Sequence, residues 1–127
     1  MRGSTAYTRV QNETASRERL LVLLLQAACR HLDTAARALE AGRRAEAAAP
    51  LGRCMDIITE LLATLDSAAA PELCRQLADV YQFTLHRITL ALASGNATAA
   101  REALRVVQPV ADAFEQVTNA PAAAEAR

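Results

Sequence analysis

Lysine and tryptophan are missing from these 127 residues, and two tyrosines and two phenylalanines are the only aromatic side chains. A chain that holds single-stranded nucleic acid stacks bases on aromatic rings and follows phosphates with surplus cations. Neither means is present, because 14 arginines balance 14 acids for a net charge of zero. The same balance gives no pull towards an anionic membrane. Glycine and proline number four each, and β-branched residues are few, which disfavours a turn-rich β architecture. The three cysteines, Cys29, Cys54 and Cys74, form no CxxC pair and no Cys/His cluster with zinc spacing. An odd set inside helical patterns reads as buried, reduced thiols of a cytoplasmic protein. The longest apolar run, Leu20–Leu25, is too short to span a bilayer or to serve as a secretion signal, and acids precede it.

Catalytic constellations are missing as well. The sequence contains no phosphate loop, no GxSxG and no HExxH. His31 and His86 each adjoin an arginine and have no base three or four residues away, so both read as solvated histidines. The residues after His31 do not form the small-residue and lysine setting that a phosphotransfer histidine needs. Cys54 and Cys74 have no base in register. Asp56 and Glu60 are four residues apart on a solvated helix face, where acid–base chemistry lacks an apolar pocket. The expectation is a chain that is not an enzyme, with no catalytic, cofactor-binding or metal-binding residue.

What is abundant is alanine, which loses no side-chain entropy in a helix. Residues 1–15 lack a helical stripe and read as a mobile arm with two apolar anchors, Tyr7 and Val10. A first helix starts after Ser16, an N-cap type with Glu18 in the first turn, and ends at Gly42. A second runs to about Leu65 and starts either near Arg44, with a kink, or at Pro50. A third has Pro71 at its first position and stops at Ser94-Gly95. A fourth starts at Asn96, contains Pro109 and ends near Val117. Residues 119–127 are small and polar and read as a disordered tail. Short connections between long helices make neighbours antiparallel, so residues 16–118 are expected to form an all-α, up-down four-helix bundle.

At 100° per residue, Leu21, Leu24, Leu25, Ala28, Leu32 and Leu39 make the core stripe of the first helix. Leu20 sits at its edge, and Val22 and Leu23 face outward. The second helix has Leu51, Cys54, Ile58 and Leu61 in its stripe and Ile57 at the outer edge. The third has Leu73, Leu77, Tyr81 and Ile88, with Phe83 and Leu90 on the far face. The fourth has Val107, Val110, Phe114 and Val117. Three helices therefore carry apolar residues that a monomer core does not use, and a contiguous group of them would mark an interaction surface.

Four stretches, in order, carry a resemblance. AYTRVQNETASRERLL resembles the N-terminal segment of the FliS family of flagellar secretion chaperones. MDIITELLATLD is similar to that family's second-helix signature nearly letter for letter. ELCRQLADVYQFTLHRI is similar to its third-helix segment, and ASGNATAAREALRVVQPVADAFEQV to its last turn and helix. The resemblance covers about residues 6–117. It implies a bacterial, cytoplasmic helical bundle, without a cofactor, that binds the disordered C-terminal segment of newly made flagellin in outer apolar grooves. Such binding prevents premature polymerisation and aids delivery to components of the flagellar export gate. It further implies that the arm, through Tyr7 with Val10 beside it, occupies part of the groove when no client is bound. By position the groove falls around Leu20–Leu24, on Ile57, Ile58 and Leu61, and near Tyr81–Phe83. Together with the helical wheels, the candidate surface is Leu20, Val22, Leu23, Ile57, Ile58, Leu61, Phe83 and Leu90. A homodimer of bundles without a client is the alternative use of the same residues.

Overall fold

A computed structural model describes the backbone of residues 2–125 and the side chains of residues 5–119. Four helices follow one another: α1 (Arg2–Glu40), α2 (Arg44–Ala63), α3 (Pro71–Ser94) and α4 (Ala97–Glu125). No strand occurs among the described residues. α1 packs on α2 and α4, and α3 packs on α2 and α4, so α1 and α3 lie diagonally across the bundle, as do α2 and α4. This is the expected up-down four-helix bundle.

The helix ends are set by local chemistry. Gly42 has φ 75°, a left-handed value that suits glycine. Its N–H donates to Leu39 O at 3.0 Å, and the Arg43 N–H donates to Ala38 O at 2.8 Å, closing α1 with a Schellman pair. Pro71 opens α3. Asn96 caps α4, its Oδ1 accepting the Ala99 N–H at 3.1 Å. Gly95, at φ 69°, ends α3, and a Cβ there would stand 3.0 Å from Arg44 Cδ. That close approach lets Arg44 Nη2 donate to the Leu92 and Ala93 carbonyls at 3.1 and 2.6 Å, satisfying two end groups of α3.

Of the two starts open for α2, the structure takes Arg44, with Pro50 buried inside the helix. Two helix bounds at the termini differ from those expected. Residues 2–15 continue α1 as helix, so Ser16 is an interior residue and not a cap. No glycine or proline interrupts the chain between Ser4 and Ala41, and a formed helix extends by one hydrogen bond per residue. Local bonds assist: Thr14 Oγ1 donates to Val10 O at 3.0 Å, and Gln11 Nε2 to Tyr7 Oη at 3.2 Å. At the other terminus α4 runs through to Glu125 and does not stop near Val117. The alanines read as a disordered tail are also the best helix formers. Residues 126 and 127 lie outside the described residues.

The core is one cluster that includes Leu25, Leu32, Leu51, Cys54, Ile58, Tyr81, Ile88 and Val107, with buried alanines from all four helices. A polar clasp ties α1 to α4 outside it. Arg101 Nη2 donates to Glu40 Oε1 and Nη1 to Asp33 Oδ1, both at 2.8 Å, and Asp33 also accepts from Arg37. Gln26 donates to Glu115 further along the same seam. These pairs set the antiparallel register: the start of α4 lies beside the end of α1.

Candidate functional site

The candidate residues separate by burial. Leu23 is 45% exposed, Leu20 is more so, and Phe83 is 37% exposed. Ile57 and Leu90 are half-buried against the rim of the core. Three candidates are corrected. Val22 is fully buried, and Ile58 and Leu61 belong to the core, so none of them presents a surface. Ile58 and Leu61 point inward, where the wheel of α2 already put them. Val22 differs because α1 has two neighbours. Its next turn carries Gln26, which is tied to Glu115 of α4, so α4 covers a flank that a single-stripe wheel leaves open.

The arm residues stand apart from the candidate surface. Tyr7 is 65% exposed and Val10 nearly as much, on a helix that runs out from the bundle, so in this structure the arm fills no groove. Both nonetheless stand on the core meridian of α1. Tyr7 precedes Leu25, and Val10 precedes Ala28, by 18 residues, which is five helical turns. They face the direction of the core at a height where no other described helix is present.

Two exposed apolar residues were missed. Leu73 and Val117, assigned to core stripes from sequence, are both largely exposed. The Arg87–Glu102 pair marks the α3/α4 register, in which Leu73 is level with the Val117 turn. The Gln26–Glu115 pair brings that turn level with Leu23. Leu20, Leu23, Leu73 and Val117 therefore gather at one end of the bundle, the end from which α1 projects. For Leu73 and Val117 the signal in the sequence was a position within two or three turns of a helix end, where neighbours run out.

The hollows are shallow. One follows α1 past Asn12, Ser16, Arg19, Leu20 and Leu23. Another lies between α1 and α4, over Cys29 and Leu104. A recess of about 210 Å³ sits at the opposite end, walled by Leu39, Ala47, Leu51 and Ala91. No acid, base and nucleophile converge in any of these. Burial pushes the Cys29 thiol up to about 11, helped by Asp112, and the Cys54 thiol up to about 12. His31 is shifted down by burial, then by Arg53 and Arg30, so it is mostly neutral at pH 7. Among the described residues, no group of three or more His, Cys, Asp or Glu side chains is disposed to hold a metal ion. No described helix is long and apolar enough to cross a membrane.

An all-helical scaffold with apolar outer residues and no reactive cluster is suited to holding another chain. The family model for the flagellar protein FliS matches residues 2–121. This chain belongs to the FliS family. FliS proteins are flagellar chaperones, and the four-helix bundle with exposed Leu20, Leu23 and Phe83 fits that role. No individual curated protein matches the chain. The family match includes the projecting part of α1 and α4 as far as residue 121.

Proposed function

We propose that this chain binds the disordered C-terminal segment of flagellin on its outer surface, keeps it from polymerising and hands it to the export gate. The observation that carries this reading is the placement of the exposed apolar residues. Leu20 and Leu23 lie on α1 and Phe83 on α3, and these helices sit diagonally across the bundle. A compact ligand does not reach both. An extended segment does, burying side chains at each stop while it orders on the surface. Ile57 and Leu90 supply the groove edges beside them. Each Leu or Phe anchor contributes about 1.5–3 kcal/mol when covered, less the ordering cost.

The test is titration calorimetry with a flagellin C-terminal peptide. Leu23→Asp and Phe83→Ala are each expected to weaken binding about tenfold or more, with thermal melting nearly unchanged. Affinity should change little between 0.1 and 0.5 M salt, because the burial is apolar. Normal binding by both variants would remove the surface assignment.

A homodimer is the second reading, favoured by Tyr7 and Val10 continuing the core meridian of α1 beyond its neighbours. Light scattering separates the two: a dimer that persists unchanged on adding peptide supports the second reading, and peptide binding by a monomer supports the first.

A further inference from the structure

Phe83, the exposed aromatic of α3, is not bare. One turn on, Arg87 lays its guanidinium over the ring, with Cζ 5.0 Å from the centroid. Its Nη1 stands 3.6 Å from Glu102 Oε2 on α4, too far for a good hydrogen bond. Its Nε is fully enclosed and has no hydrogen-bond acceptor. Two modest attractions, a cation over a partly exposed ring and a loose ion pair, thus hold the cover closed. Enclosing a donor without an acceptor opposes them with a cost of the same order. Swinging Arg87 outward returns Nε to water and bares the ring face, so the closed and open arrangements lie close in free energy.

We propose that Arg87 is a latch on Phe83, closed in the free chaperone and displaced when an apolar side chain of the client settles on the ring. The proposal rests on Phe83 belonging to the client surface, as argued above, and it names the residue that controls access to that position. Because the latch competes with the client, the apparent affinity is reduced by the fraction of molecules with Arg87 closed. Glu102 holds the latch from the neighbouring helix, so access to Phe83 depends on the α3–α4 seam.

The experiment uses the full chain, isotope-labelled for NMR, alone and with a flagellin C-terminal peptide. In the free protein the Arg87 side-chain methylenes should be shifted upfield by the ring, and Phe83→Leu should abolish that shift. The Arg87 Nε–H should exchange with water within about tenfold of the rate of an open arginine, since the latch opens readily. Protection of more than about a hundredfold means a fixed side chain and overturns the latch. With peptide at saturation the ring shift should disappear, and Arg87→Ala should bind about three- to tenfold tighter than wild type. A ring shift that survives saturation, or an Arg87→Ala variant that binds equally or more weakly, also overturns it. A peptide that binds neither chain refutes the client reading of Phe83, and the exchange rate then decides the latch by itself.

Discussion

Neighbouring residues in LLVLLL have opposite fates. Val22 is enclosed between helices, whereas Leu23 is nearly half exposed. A carboxylate at position 22 would be buried without a partner, so Val22→Asp should cost about 3–5 kcal/mol. Leu23→Asp should cost about 0.5 kcal/mol, a surface and propensity effect. Urea midpoints with unchanged slopes would check both. The thiols divide in the same way. Cys29 and Cys54 are buried and pushed up to about 11 and about 12, so at pH 8 their thiolate fractions are about a thousandth or less. Cys74 is only half-buried, with Sγ 3.1 Å from Asp66 O. Ellman's reagent at pH 8 should therefore titrate one thiol promptly in the native protein and the other two only in denaturant.

At the scale of the element, the helices tolerate residues that ordinarily stop them. Pro109 stands exposed within α4 and leaves the Arg105 carbonyl without its helical donor. Since the ring is exposed, Pro109→Ala sacrifices little packing and restores a hydrogen bond. It should raise stability by about 1–3 kcal/mol, visible as a rise of several degrees in Tm. Pro50 is different: it is buried in α2, and part of what its ring costs the helix it returns as packing. The projecting turns of α1 are a third case. Every described side chain from Thr5 to Leu20 is exposed, so these turns rest on local hydrogen bonds and propensity, a marginal basis for a segment of this length.

The whole molecule is asymmetric along its axis. One end is tied by Arg101 to Asp33 and Glu40, and by Arg44 to the carbonyls that end α3. The other end carries Leu20, Leu23, Leu73 and Val117, with α1 extending beyond them. Hydrogen bonds from Arg37 and Arg101 hold Asp33 below its ordinary value of 3.8, and Arg101 holds Glu40 below 4.5. Carboxylates shifted down on folding stabilise the native state in full above their ordinary values, and that contribution is lost as the pH falls through the lowered ones. Arg101→Met should thus lower Tm by a constant amount between pH 6 and 8. Its gap from wild type should begin to narrow as the pH falls through the ordinary carboxylate values and should close only below the lowered native ones, where the clasp is protonated in both states. A gap of unchanged size from pH 7 down to the most acidic pH at which both proteins still fold would assign the effect to packing by the arginine stem.

The sequence by itself determined the helices, their order and most of their ends. Gly42, Pro71, Gly95 and Asn96 act on their own turns, through φ, a missing N–H or a side-chain oxygen, and so were legible without any neighbour. Periodicity likewise placed Leu25, Ile58, Tyr81 and Val107 in the core, and kept Leu23 and Phe83 out of it. Only the tertiary structure decided where each helix loses its neighbours. Burial of Val22, exposure of Leu73 and Val117, and the unaccompanied turns around Tyr7 all depend on the relative lengths and register of packed helices. A helical wheel carries angle and no height. It identifies the face on which a residue lies, whereas burial also requires another helix at the same level.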